Sequence, residues 1–318
     1  MTETKAEDWG NYWQGRAASG AGTALVGAGI ESDAAIAEVW AEVFETLPPK
    51  TRVVDLACGA GTALKAAAKA GLTDLTGVDI AREAITLLQR DLPQAHGVVA
   101  PANRTGLKPA SFDCVVSQFG LEYAGLVPAS KEAARLLAPG GAFGAIIHMQ
   151  DGAIAHECKG KLSELNAIRD SGFIPKAQKL FRALFAADAK PGQATTDKAN
   201  RAVAYFKPAM DALKAMPERS NPHGLTAHLY DGTARLYERR AAYALQDVEG
   251  WLSGMAGEIA AYRGRMESML ASAQSEADIK SALAVFEAVS FRVDAPRPVV
   301  LKDGGSPAAW WVRAGTPH

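Results

Sequence analysis

Two short runs constrain this chain more than any other feature. Val53-Val54 leads through Asp55-Leu56-Ala57-Cys58 into Gly59-Ala60-Gly61-Thr62, and Leu75-Thr76-Gly77-Val78 leads into Asp79-Ile80. β-Branched residues suit a strand buried on both faces, and the glycines allow a tight turn with no Cβ between main chain and ligand. Between the runs, Leu64 to Ala70 is dominated by alanine and lysine, strong helix formers, and Gly71 stops it. The N-terminus of that helix directs its free N–H groups into the glycine loop. Asp79 closes the second strand 18 residues after Gly61, near the spacing at which a carboxylate accepts from a ribose hydroxyl pair. Strand, loop, helix and acid-ended strand together predict a parallel α/β unit that holds a nucleoside.

The loop also discriminates among nucleosides. A dinucleotide site calls for Gly-x-Gly-x-x-Gly with the helix dipole facing a pyrophosphate, but here Leu64 stands where a third glycine is needed. Asp55 would repel a phosphate and attract an ammonium group. With Ala57 in the first glycine place, the run resembles the Asp/Glu-x-Gly-x-Gly-x-Gly signature of class I S-adenosylmethionine-dependent methyltransferases. Further matches follow in the family's order. Ser111 to Glu122 resembles its fourth strand, and Leu136-Leu137-Ala138-Pro139-Gly140-Gly141-Ala142-Phe143 its helix, Pro-Gly-Gly turn and fifth strand. The likeness covers Thr51 to Met149, with a tail match at the C-terminus. It implies a doubly wound Rossmann-like sheet of seven strands, ending in an antiparallel hairpin.

The resemblance also implies site residues. The cofactor would be S-adenosyl-L-methionine, its methionine end held by Asp55 and the main chain around Ala57, Cys58, Gly59 and Gly61. Asp79 would take the ribose hydroxyls and Ile80 would pack on the adenine. The family commonly places an aspartate after the third strand for the adenine amino group, but this chain has Pro101 there, so the main chain of Ala102 and the Asn103 side-chain carbonyl are the substitutes. Gln118 would reach the methionine carboxylate or the methyl region. Tyr12, Trp13 and Arg16 resemble a lid over the cofactor, the aromatics facing the sulfonium and Arg16 pairing with the carboxylate. The plainer reading makes Trp9 and Trp13, four apart, one buried helix face.

Composition agrees with an enzyme of this kind. A chain of 318 residues, 48% hydrophobic, is long enough for a large core with an appendage. A net charge of −1 gives no basic face for nucleic acid. Neither a membrane-spanning apolar run nor a signal-peptide pattern is present, so a cytoplasmic protein is expected. Cys58, Cys114 and Cys158 form no Cys-x-x-Cys pair, which argues against disulfides and a metal site. The expected partner is a small-molecule acceptor; the sequence leaves oligomeric state open, a homodimer among the options.

Along the chain four parts are expected: residues 1–50 with N-terminal helices and lid, the cofactor-binding core 51–150, a helical cap or substrate insertion 151–289, and a hairpin 290–318 completing the sheet. Ser32 to Leu47 reads as a helix with an Ile36, Val39, Trp40 and Phe44 stripe. Breaks are expected in the insertion at 171–172, 191–192, 220–224 and Gly250, and a helix through Trp251, Leu252, Met255, Ile259, Tyr262, Met266 and Leu270.

For acceptor chemistry, His148 ends the predicted fifth strand, where a base could deprotonate a hydroxyl or amine. Glu122 and Tyr123 follow the fourth strand, and Glu122 could orient a cationic acceptor. Ordinary alternatives are a capping histidine and a surface ion pair. His156, and the group His223, His228 and Tyr230, match no metal spacing and read as solvated. The function implied is methyl transfer to an O or N atom of a small molecule. Alternatives are the same fold transferring another group, such as aminopropyl, or a non-catalytic nucleoside-binding protein.

Overall fold

The protein is represented by a computed structural model that describes residues 9–10, 12–13, 34–217, 221, 224–301 and 305–315. Arg16, Ser32 and His223 lie outside the described residues. The chain forms two compact units, one of residues 1–157 with 269–318 and one of residues 158–268.

The first unit is built on a sheet. Its strands are β1 (Arg52–Leu56), β2 (Asp74–Asp79), β3 (His96–Val99), β4 (Phe112–Gln118), β5 (Leu137–His148), β6 (Arg292–Val293), β7 (Arg297–Val300) and β8 (Pro307–Gly315). The spatial order is β3-β2-β1-β4-β5-β8-β6, with β7 also on β8. β1 to β5 are parallel, and β8 runs antiparallel to β5. The sheet has eight strands where seven are expected. The seventh position is shared: β6 pairs with Ala314–Gly315 and β7 with the Pro307–Trp311 stretch of the same β8 edge. Arg297 to Val300 with Pro307 to Trp311 is the expected hairpin.

Alternation along each strand buries both faces. Val53, Cys114, Val116, Ile146 and Trp311 share one cluster with Trp40 and Phe44 of α1 (Ala34–Phe44), Leu64 of α2 (Thr62–Lys69) and Leu88 of α3 (Arg82–Asp91). Val54, Leu56, Val115, Ala145, Ile147 and Val312 share the other with α4 (Leu126–Leu136) and with Ile279, Leu283 and Phe286 of α10 (Glu276–Glu287). This is the expected doubly wound arrangement. β5 carries the Pro139-Gly140-Gly141 turn inside its assigned length, and its register on β4 slips between Phe112 and Cys114.

The other helices are α5 (Ala153–Asp170), α6 (Phe173–Ala189), α7 (Gln193–Lys214), α8 (Leu225–Glu238) and α9 (Leu245–Ser272). The helical unit begins within α5 and ends within α9. It is shorter at both ends than the 151–289 segment marked by composition, because α10 packs on the sheet. Inside it, the Phe173 and Phe206 rings meet edge to face at 5.1 Å, and Arg240 pairs with Asp188 at 2.7 Å. α9 buries Leu252, Met255, Ile259, Tyr262 and Met266 at the expected spacing, while Trp251 and Leu270 are half-buried. The break expected at Gly250 is absent, since α9 runs through that residue. One glycine costs a helix only about 1 kcal/mol, less than the apolar face recovers. No described helix is long and apolar enough to cross a membrane.

Candidate active site

β2 lies to one side of β1 and β4 to the other, so the strand order reverses between β1 and β4. Crevices beyond the carboxyl ends of strands at such a reversal are where open α/β sheets bind ligands. Asp55, opposite Gly77 on β2 and Val116 on β4, stands at that point. Its side chain is buried, and its Oδ1 has no hydrogen-bond partner. Burial, then the nearby charge of Asp79, pushes its carboxyl well above the ordinary value.

Asp79 is held differently. Its Oδ2 accepts from Gly59 N–H at 2.9 Å and its Oδ1 from Ala81 N–H at 2.9 Å. Burial pushes its carboxyl up, and these amides oppose the shift. The acid predicted to take the ribose thus also braces the glycine loop. Cys58 N–H bonds the Val78 carbonyl at 2.9 Å, and its buried thiol is pushed up by burial, so this cysteine is inert. Its sulfur would lie 2.8 Å from a Cβ on Gly77, which accounts for the glycine in the neighbouring strand.

Two residues that are not glycine adopt left-handed backbone here: Ala57 at φ +57 and Phe119 at φ +52. Such positions cluster where a site over-determines the chain. The loops after β1 and β4 come very close, since a Cβ on Gly120 would fall 2.7 Å from the Ala57 carbonyl oxygen. Sequence reasoning did not single out Gly120, and its role is invisible until both loops are placed.

The N-terminal aromatics lie over this loop. Trp13 is buried among Ala81, Ala84 and Leu87, with Tyr12 and Ala60 beside it, and a Cβ on Gly59 would fall 2.5 Å from its ring. Trp9, four residues earlier, meets Tyr123 edge to face at 5.1 Å. Trp9 also packs against the Trp13 cluster, so the two tryptophans share one face, which Trp9 extends to Tyr123.

On the far side, Glu122 and His148 form a dyad. Glu122 Oε1 accepts from the His148 backbone N–H at 3.0 Å and lies 2.6 Å from its Nδ1, and both residues are buried. Of the two readings for Glu122, the surface ion pair is excluded, because the turn Leu121–Ala124 points it inward. Phe119 flanks the imidazole at 4.4 Å between ring centres and Tyr123 at 6.0 Å. Among the described residues, Asp55 Oδ1 and Glu122 Oε2 are the buried side-chain oxygens without a partner.

Other predicted residues have local partners. Gln118 accepts from the buried Trp40 indole through Oε1 at 2.7 Å, which turns its amide N–H2 away from α1. Trp40 appears in the sequence only as part of an apolar stripe, and nothing there announces the bond. Asn103 donates to the Ala124 carbonyl at 2.7 Å, leaving its own carbonyl available beside the buried Ala102. Ile80 is half-buried at the β2 exit. His156 is tied to the Gly152 carbonyl at 3.0 Å and His228 lies against Trp251. No three His, Cys, Asp or Glu groups among the described residues could hold a metal ion.

A ligand with an ammonium group, vicinal hydroxyls and a flat base fits these residues. The Asp55 oxygen lacks a cation, the Asp79 carboxylate stands at the β2 end, and a glycine loop admits close approach. The model of a methyltransferase domain family matches residues 54–145. No curated protein matches the chain. Among solved structures, a Listeria monocytogenes protein aligns at 24% identity and TM-score 0.32, over 36% of this chain and 56% of that one. An S-adenosylmethionine-dependent methyltransferase from Mesorhizobium loti aligns at 23% and 0.34, over 38% and 56%. One from Aquifex aeolicus aligns at 11% and 0.43, over 90% and 91%. The chain thus spans little more than half the length of the Listeria and Mesorhizobium relatives. The glycine loop and most of β1 to β5 thus fall within the segment that is similar to a methyltransferase domain family.

Proposed function

We propose that this protein transfers the methyl group of S-adenosyl-L-methionine to an O or N atom of a small molecule in the cytoplasm. The observation that carries the reading is the buried Asp55 oxygen with no partner, at the strand reversal beside Asp79. An orphaned buried carboxylate is costly unless a cation completes it. When bound, the cofactor supplies a methyl carbon on a sulfonium, and the C–S electron pair stays with sulfur on transfer.

The chain's own residues do the rest. Asp55 receives the ammonium group, with the main chain of Ala57, Cys58, Gly59 and Gly61 around it. Asp79 accepts from the ribose while its loop bonds hold the site open. Ile80, Ala102 and Asn103 serve the base, and the Gln118 amide serves the carboxylate. Tyr12 and Trp13 exclude water, which an in-line displacement requires. Arg16 belongs to this proposal by resemblance alone. His148 is the base, Glu122 orients it, and Tyr123 borders the acceptor.

Calorimetry of S-adenosylmethionine binding tests the assignment. Asp79→Ala should weaken binding by about 2 kcal/mol through loss of a charge-assisted contact, and unchanged affinity would sink it. Release of S-adenosylhomocysteine in the presence of an acceptor distinguishes methyl transfer from other group transfers and from passive binding.

A further inference from the structure

The geometry points to a phenol-type hydroxyl on a flat aromatic ring as the acceptor class, with His148 Nε2 taking its proton; this rests on the methyltransferase reading above. Three observations within the first unit carry it: the bonding of the dyad, its second carboxylate oxygen, and the rings around it.

Glu122 Oε1 sits 2.6 Å from His148 Nδ1 and also accepts the His148 backbone N–H. The imidazole is therefore held through Nδ1 by an oxygen that the His148 backbone N–H also fixes. With Glu122 ionised, Nδ1 carries the proton and Nε2 carries the lone pair. This is the orientation logic of a carboxylate–imidazole pair, with the acceptor hydroxyl completing the line.

Glu122 Oε2 has no donor, and the side chain is wholly buried. That oxygen stands in the same carboxylate that holds Nδ1, on the side of the ring opposite Nε2. A basic dyad matters most to a hydroxyl. An alcohol or phenol oxygen that attacks carbon while keeping its hydrogen becomes an oxonium, so the O–H bond must break as the C–O bond forms. The proton passes to Nε2, the oxygen lone pair makes the new bond, and the C–S pair leaves with sulfur. An amine that has already lost a proton to solvent attacks without a base and ends as a stable methylammonium.

The walls select among hydroxyls. Phe119 at 4.4 Å and Tyr123 at 6.0 Å flank the imidazole, and Trp9 meets Tyr123 at 5.1 Å. Aromatic faces and edges favour a flat ring by offset or edge-to-face packing. A phenol, with an ordinary pKa near that of tyrosine at about 10, is also far easier to deprotonate than an aliphatic alcohol. The described titratable neighbours of the imidazole are Glu122 on Nδ1 and Tyr123 at the ring edge.

Matched probes on the full chain test this. Methylation of 4-methylphenol, 2-naphthol and 4-nitrophenol is compared with that of 4-methylbenzylamine and 2-naphthylmethylamine. The phenols should turn over at least 10²-fold faster than the amines, and amines matching or exceeding the phenols would overturn the inference. Glu122→Gln should lower kcat for 4-methylphenol on the order of 10²-fold, and far less for the more acidic 4-nitrophenol. Equal losses on both phenols would assign Glu122 a merely structural role and overturn the base. A readout without turnover uses the complex with S-adenosylhomocysteine, where bound 4-nitrophenol should show its phenolate band at a lower pH than it does free. His148→Gln should abolish that displacement. Failure of every phenol to bind this complex at millimolar concentration overturns the acceptor class while the cofactor assignment stands; failure of S-adenosylmethionine itself to bind brings down the parent reading instead.

Discussion

Ala57 occupies a place where the family signature has glycine, and it holds φ +57. A left-handed alanine costs about 1–2 kcal/mol, partly offset by the entropy that glycine loses on folding. Ala57→Gly should therefore raise stability by about 1 kcal/mol, measured by urea unfolding; no gain would mean that the Cβ makes compensating contacts with Gly120. Asp55 trades stability for function in the opposite sense. Its folded carboxyl is pushed above the ordinary 3.8, by burial first and then by Asp79. The contribution is thus fully present below the unfolded value and is lost as pH rises through the raised folded value. Asp55→Asn should stabilise the empty protein at neutral pH and flatten this dependence. The same substitution should weaken S-adenosylmethionine binding tenfold or more, and remove the rise of affinity with pH that ionisation of Asp55 confers on the parent. Thermal melts and calorimetry across pH check both limbs. Asp55, Asp79 and the glycines are legible in the chain because their chemistry follows from residue type at fixed spacing. The inward turn of Glu122 is not, since a carboxylate after a strand is equally at home in solvent.

At the scale of elements, Trp9 and Trp13 share one cluster that runs from the glycine loop to Tyr123. Trp13 rests on Gly59, and Trp9 rests on Tyr123 beside His148. Trp13→Ala should weaken cofactor binding severalfold without unfolding the core, because it removes cover from the loop while leaving the sheet intact. Unchanged affinity by calorimetry would reduce this ring to packing. Element identities were readable where an apolar period was long, as in α9, or where β-branched residues ran into a glycine loop, as in β1. They failed at Gly250, where tertiary burial of an apolar face outweighed a local propensity. At the C-terminus the strand character of residues 290–293 and 299–301 was readable too, but not the pairing of both with one edge of β8.

Across the whole molecule, the chain leaves the sheet unit and returns to it at one spot. Met149 bridges Gln274, Gln150 N–H donates to the Gln274 carbonyl at 3.0 Å, and Gln274 N–H donates to the His148 carbonyl at 2.8 Å. Replacing residues 151–272 by a short Gly/Ser turn should therefore leave a folded sheet that binds S-adenosylmethionine, since the described cofactor candidates all lie in the first unit. Calorimetry on that shortened chain is the check, and loss of binding with the fold retained would place cofactor contacts in the helical unit. The sequence alone determined the loop half of the candidate site: a loop written in glycine, a strand ending in aspartate and their order are local facts that chain connectivity carries directly. Only the tertiary structure decided the other half. Residues 26 positions apart, Glu122 and His148, meet because β4 and β5 are neighbours, and Trp9, far away in sequence, meets the adjacent Tyr123. Such contacts depend on how elements pack, and packing is a property of surfaces that no short run of residues contains.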